Sequence, residues 1–307
     1  MFEMTPISTG MHLYRQGALT LIEVENAFAY FQMTTHGASV LRFCPKTGQN
    51  TGGRQGVSKA SMPDVLWVSE RAQYHGQKPV RGGIPICWPW FGVHEDPAMP
   101  AHGFVRNMTW QLVGSHTNDQ AHTCLELKIA HSAHTLALWP YRFALSLWVE
   151  VGPELKLTLV SHNHDDKSFA LTEAFHSYFQ VSQAEKVFVS GLQGSECHDK
   201  LTDLPPYSAE DTLSVQPPLD RVYLQQRQPL VLHDPGYKRE IHLVKTSAHS
   251  SVVWNPGPSL VKGLDDMDDQ AWSEMLCVES GNVLTQGVTL QPGQTHQQSL
   301  QISVQAL

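Results

Sequence analysis

Alternation of apolar and polar residues constrains this chain more than any other feature. In TCLELKI (123–129) the residues Leu125, Leu127 and Ile129 face one way, and Glu126 and Lys128 the other. RFALSLWVEV (142–151) puts Phe143, Leu145, Leu147 and Val149 on one face. After Gly152 and Pro153, ELKLTLV (154–160) repeats the pattern with Leu155, Leu157 and Leu159. Successive side chains of a strand point to opposite faces, so these runs read as half-buried strands joined by a Gly-Pro turn. Similar runs are LTLIEV (19–24), AYFQM (29–33), VLWVS (65–69), KVFVS (186–190), RVYLQ (221–225), EIHLVKT (240–246), SVVWN (251–255), MLCVES (275–280) and LQISV (300–304), with Gly, Pro, Asn and Asp between them. Helical periodicity is nowhere sustained, and only LDDMDDQAWSEM (264–275) and HTLALWP (134–140) are expected to form a turn or two of helix. The pattern predicts an all-β fold, a large antiparallel β-sandwich, expected to be one domain over 1–307. Long loops at 47–64 and 203–220 are expected to border a binding site.

Charge and composition narrow the partners. Among 307 residues, 21 are basic and 29 acidic, a formal net charge of −8. That opposes binding to nucleic acid or an anionic membrane, while two or three local arginines still suffice for a small anion. Apolar runs fall well short of the roughly 18 residues a spanning helix needs. The opening MFEMTPISTGMHLYRQ lacks the basic head and apolar core of a signal peptide. Five cysteines without a C-x-x-C pair point to reduced thiols and a cytoplasmic setting. No apolar surface stripe stands out, so a monomer is expected. Two metal readings are weighed and set aside. DDMDD (265–269) lacks the ligand spacing of a calcium loop and reads as a solvated turn or helix start, and His162 and His164 in SHNHDD lack a third ligand.

Four segments carry groups suited to chemistry. RGGIPICWPWFG (81–92) is too apolar for a plain surface loop and too proline-rich for a buried strand. It reads as a stiffened segment aiming Arg81 into a pocket, with glycines that let backbone approach a ligand. AHGFVRN (101–107) sets His102 and Arg106 around a glycine, and arginine's planar fork suits phosphate or carboxylate. The plainer alternative for each arginine is a surface salt bridge. In EAFHSYFQV (173–181) His176 and Tyr178 share a face, as a core histidine or as a general acid or base. In MLCVESGNV (275–283) Glu279 shares a face with Met275 and Cys277. That face is either solvated, or Glu279 ends a strand in a concave pocket, and Asp220 poses the same choice.

Taken in order, RGGIPICWPWFG, HGFVRNMTW, FHSYF, DRVY, VVWNPG and CVESG resemble the aldose 1-epimerase (galactose mutarotase) superfamily, and within it the glucose-6-phosphate 1-epimerase branch. The resemblance spans roughly residues 20 to 305 and implies a supersandwich fold. It implies His176 as general acid, Glu279 as general base and Asp220 as a ligand of sugar hydroxyls. Arg81 and Arg106 would hold a 6-phosphate with His102 between them, and Trp254 and Asn255 would shape the wall. Ala101 stands where some relatives carry Gln, which leaves the sugar open among glucose, galactose and mannose 6-phosphates and free hexose. No cofactor or metal is implied: a carboxylate removes the anomeric proton, an imidazolium supplies one to the ring oxygen, and reclosure reverses the roles. Two other classes stay in view. One is a non-catalytic phospho-sugar or carbohydrate-binding protein on the same fold, and the other a glycosidase using Asp220 and Glu279 as its carboxyl pair.

Overall fold

The computed structural model describes residues 8–46 and 63–307, so all but the last two residues of the predicted loop at 47–64 lie outside it. All paired strands are antiparallel. A four-stranded sheet opens the chain, from Met11–Gln16 to Val40–Pro45. A nine-stranded sheet contains the Phe143–Val151 and Leu155–Asn163 hairpin, which turns at Gly152 and Pro153 as the sequence predicts. An eight-stranded sheet carries Glu173–Phe175, Glu196–Asp199, Leu219–Leu224, Ser250–Asn255 and Met275–Asn282.

One apolar cluster holds these layers together. Leu127, Leu147 and Leu157 reach it from the nine-stranded sheet, Ile22 and Phe31 from the four-stranded sheet, and Phe175, Phe179, Leu276 and Val278 from the eight-stranded sheet. Burial of apolar area at roughly 25 cal/mol per Å² drives this closure. The opposite face of the eight-stranded sheet is partly apolar, with Tyr178, Met275 and Cys277 in one patch and Cys87, Val222 and Val252 in another. That face carries the polar groups considered below.

Three segments depart from expectation. VLWVS (65–69) forms only isolated bridges, Leu66 to Phe179 and Val68 to Gly82. Its N–H groups scatter over three segments, Val65 donating to Phe43 O, Trp67 to Tyr178 O and Ser69 to Arg81 O, so no ladder propagates. Within 264–275 the helical content is a single 3-10 turn, Ala271–Glu274, whereas an unpredicted short helix occupies Gly257–Leu260. The acidic run is also less solvated than expected: Asp266 is buried and pairs with Arg81 at 3.0 Å. HTLALWP does form a helix, Ala133–Leu138, started by a Ser132–Thr135 capping box.

Candidate active site

Register places the site. Asp220 pairs with Trp254, Trp254 with Cys277, and Cys277 with Tyr178, which makes one row across four strands. In the next row Val222 pairs with Val252 and Val252 with Glu279. Phe175 pairs with Ser280 and Tyr178 with Cys277, so the same register sets His176 directly across from Glu279. Cross-strand neighbours on one face lie about 5 Å apart at Cβ. Here the imidazole Nε2 is 3.5 Å from the Glu279 carboxyl Oε1. His176 occupies a short break in its strand, and its N–H turns to Pro85 O at 3.0 Å.

The segment RGGIPICWPWFG is the edge of this sheet. Ile86–Cys87 pairs with Ala174 and Phe175, and the carbonyls of Gly83 and Pro85 accept from Tyr178 and His176. An edge needs only one row of partners, which is how a strand segment accommodates Pro85. Ile84, Ile86 and Trp88 sink into the main core. Gly82 and Gly83 serve the fold and not a ligand. A Cβ on Gly83 would lie 2.0 Å from Val40 O, and one on Gly82 would lie 2.4 Å from Trp67 O.

Around the pair lies a cavity of about 360 Å³, lined by Arg81, Phe91, His102, Arg106, His176, Tyr178, Lys200, Asp220, Trp254 and Glu279 among others. That falls within the range of small-molecule sites. Arg81 aims into it with Nε on Asp266 Oδ1 at 3.0 Å and Nη1 on Tyr178 Oη at 3.2 Å. Arg106 donates from Nη2 to Ala101 O at 2.8 Å. His102 adopts φ of 61°, and its Nδ1 accepts from Gly92 N–H at 3.3 Å, which leaves the proton of the neutral ring on Nε2. The ring of Tyr178 stacks on His176 with centroids 4.7 Å apart and an interplanar angle of 10°, and His102 meets the same imidazole edge-on.

Burial and neighbouring charges shift both members of the pair and two of their neighbours. His176 is 7% exposed and Glu279 2%. Burial drives the His176 imidazole well below its ordinary range, and the charges of His102, Arg106 and Arg81 add to that. Burial drives the Glu279 carboxyl well above its range, with Asp220 reinforcing and Arg106 and Lys200 opposing. Burial, then Arg106, Lys200 and Arg81, push His102 down to about 3. Asp220 is raised by burial against the pull of Lys200. Neutral acid beside neutral imidazole and carboxylate beside imidazolium differ by one internal proton transfer. In either form the pair holds one proton and one vacancy, as acid–base exchange requires.

Most of the sequence-derived residues converge on this cavity: His176, Glu279, Arg81, His102, Arg106, Asp220 and Trp254. Asn255 does not. Its side chain is buried and spent on backbone: Nδ2 donates to Trp272 O and Met275 O, both at 2.7 Å, and Oδ1 accepts from Gly257 N–H. Glu279 lies inside the Met275–Asn282 strand and not at its end. The sequence reading missed Lys200, Asp266 and the cavity-lining role of Tyr178. Tyr178 was within reach, since it shares the face of His176, but nothing local marks Lys200 in CHDKL or singles out Asp266 in DDMDD. His162 and His164 lie elsewhere, His162 on the nine-stranded sheet with Nδ1 2.7 Å from Thr295 Oγ1 and His164 just past the end of that strand.

Comparison with known proteins agrees with this architecture. The family profile described as aldose 1-epimerase matches residues 20–303. A protein of Escherichia coli (strain K12), named "Putative glucose-6-phosphate 1-epimerase", is 36% identical over 247 residues, 80% of this chain and 82% of that protein. A protein of the same name from Cenchrus ciliaris is 32% identical over 240 residues, 75% of this chain and 72% of that protein. Among solved structures, that of a "putative mutarotase" from Salmonella typhimurium superposes with a TM-score of 0.86 at 30% identity, covering 100% of this chain and 96% of that one.

Proposed function

The chain belongs to the aldose 1-epimerase family, and from that membership we propose that it interconverts the α and β anomers of a hexose 6-phosphate, glucose 6-phosphate first. The observation that carries the reading is the pairing of His176 with Glu279 across one register step, 3.5 Å apart, on the wall of a cavity that also presents arginines. Glu279 takes the proton of the anomeric hydroxyl while His176 delivers one to the ring oxygen, and the C1–O5 bond opens. Rotation about C1–C2 exposes the other face of the aldehyde. Reclosure returns both protons by the same groups with roles exchanged. Asp220, one row away, is suited to hold hydroxyl groups, and Trp254 to bound the ring.

Arg106 supports a phosphorylated substrate over a free sugar, because a buried anion needs cationic donors, and Arg81, though paired with Asp266, still offers hydrogen bonds. The glycosidase reading is weaker: the group set directly against Glu279 is an imidazole and not a second carboxyl. Exchange NMR on equilibrated anomers of glucose 6-phosphate, with glucose in parallel, tests the proposal. Accelerated exchange of the phosphate alone supports it. Acceleration of glucose alone moves the assignment to free hexoses, and no acceleration of either favours a binding protein.

A further inference from the structure

The cations of the cavity are not equivalent. Arg81 is already answered by a carboxylate, Asp266 Oδ1 at 3.0 Å from Nε, and Asp266 is itself buried. That pair is neutral as a unit, so it offers hydrogen bonds to a ligand but little net field. Arg106 donates to a carbonyl, and its buried Nε has no protein partner among the described residues. Lys200 follows the Glu196–Asp199 strand, and its N–H donates to Asp220 O at 2.8 Å. This continues the pairing of Asp199 with Arg221 by one step, and sets Lys200 across from Asp220 on the cavity face. Among the described residues no carboxylate lies within the 4.0 Å of an ion pair with Lys200.

We propose that Lys200 is the residue by which the site reads substrate charge, its ammonium joining the Arg106 guanidinium to seat the phosphate of a hexose 6-phosphate. The inference rests on the hexose-phosphate reading above and assigns within it a residue that neither motif nor spacing marks. A dianion entering a partly dry pocket requires positive charge not already neutralised, and Arg106 and Lys200 supply it where the Arg81–Asp266 pair does not. A half-free lysine at the rim also suits the task. Its four-carbon stem lets the ammonium follow a phosphate whose sugar ring is opening and closing beneath it.

The test is calorimetric binding of glucose 6-phosphate and of glucose to the wild type, Lys200→Ala, Lys200→Gln and Lys200→Arg, with anomer exchange measured on the same preparations. Loss of one charge-assisted contact predicts glucose 6-phosphate binding about tenfold weaker in the Ala and Gln variants. Recovery is expected in the Arg variant, with glucose binding moved far less. In turnover the loss should appear in KM more than in kcat. Unchanged glucose 6-phosphate affinity in Lys200→Ala overturns the proposal. An equal loss for both sugars also overturns it, since Lys200 would then be acting through Asp220 on hydroxyl groups. Absence of wild-type exchange, with Lys200-dependent binding intact, removes the epimerase reading and leaves the charge-reading role in place.

Discussion

His176 and Glu279 face each other because two strands share a register, and their chemistry follows from what surrounds them. Glu279→Gln keeps the shape and removes the base. Turnover should fall by at least about 10³-fold with affinity for glucose 6-phosphate largely kept. A matched loss of affinity, measured by calorimetry, would make Glu279 a hydroxyl ligand only. The pH dependence has a definite sign. Adding a second proton to the pair means charging His176, whose pKa is lowered, and removing the last means ionising Glu279, whose pKa is raised. The one-proton form is therefore favoured between a limit below 6.5 and a limit well above 4.5. The profile of kcat, which is free of the ionisation of unbound substrate phosphate at pH ~6, should stay flat as pH falls through 6.5, and an acid limb centred on 6.5 in kcat would contradict the assignment. His176 was legible from FHSYF, because alternation set it beside Tyr178 and away from Phe175 and Phe179. The burial of Glu279 was not, since one strand's sequence does not distinguish a solvated face from a cavity wall.

Among the elements, the edge segment and the strand ends decide whether the cavity exists. Gly103 has φ of 75°, and a Cβ there would lie 1.9 Å from Trp88 O. Both a left-handed backbone and a backbone clash oppose a side chain, so Gly103→Ala should cost about 2–4 kcal/mol of stability by denaturant unfolding. It should also displace the neighbouring His102. Trp254 and Asn255 make a sharper contrast. Asn255→Ala strands three buried backbone groups and should lower stability by about 2–4 kcal/mol while leaving KM of the folded fraction near wild type. Trp254→Ala should raise KM with a smaller loss of stability. The strand set was largely readable from alternation, and VLWVS fails because its hydrogen bonds scatter over three segments, none of which it follows for more than a step. The SVVWN pattern could not distinguish Trp254 from Asn255, because it carries no record of which turn follows the strand.

For the molecule as a whole, a buried imidazole makes stability depend on acid. His102 titrates near 6.5 when unfolded and is pushed down to about 3 when folded, while the proton that His176 refuses is matched by the one Glu279 keeps. Between those limits the unfolded chain binds protons that the folded one refuses. Stability therefore falls as pH drops below 6.5, by up to about 1.4 kcal/mol per pH unit for His102. His102→Asn, a residue that tolerates the left-handed backbone, should flatten the decline of the unfolding midpoint between pH 7 and 5. An undiminished slope would place the acid sensitivity elsewhere. The sandwich was foreseeable from many short strands. The joining of its sheets by one core was not, because partners distant in sequence leave no local trace.

Glu279 lies on a hydrogen-bonded strand and His176 in the short break facing it, whereas Arg81, His102 and Arg106 arrive on segments outside the central ladder. The side chains of His102 and Arg106 can be exchanged without touching the register that sets His176 against Glu279, whereas the backbone that follows Arg81 is tied to it through Gly83 O and Pro85 O. On the proposed function, such a division makes the proton chemistry a fixed inheritance and the choice of sugar a trait free to drift.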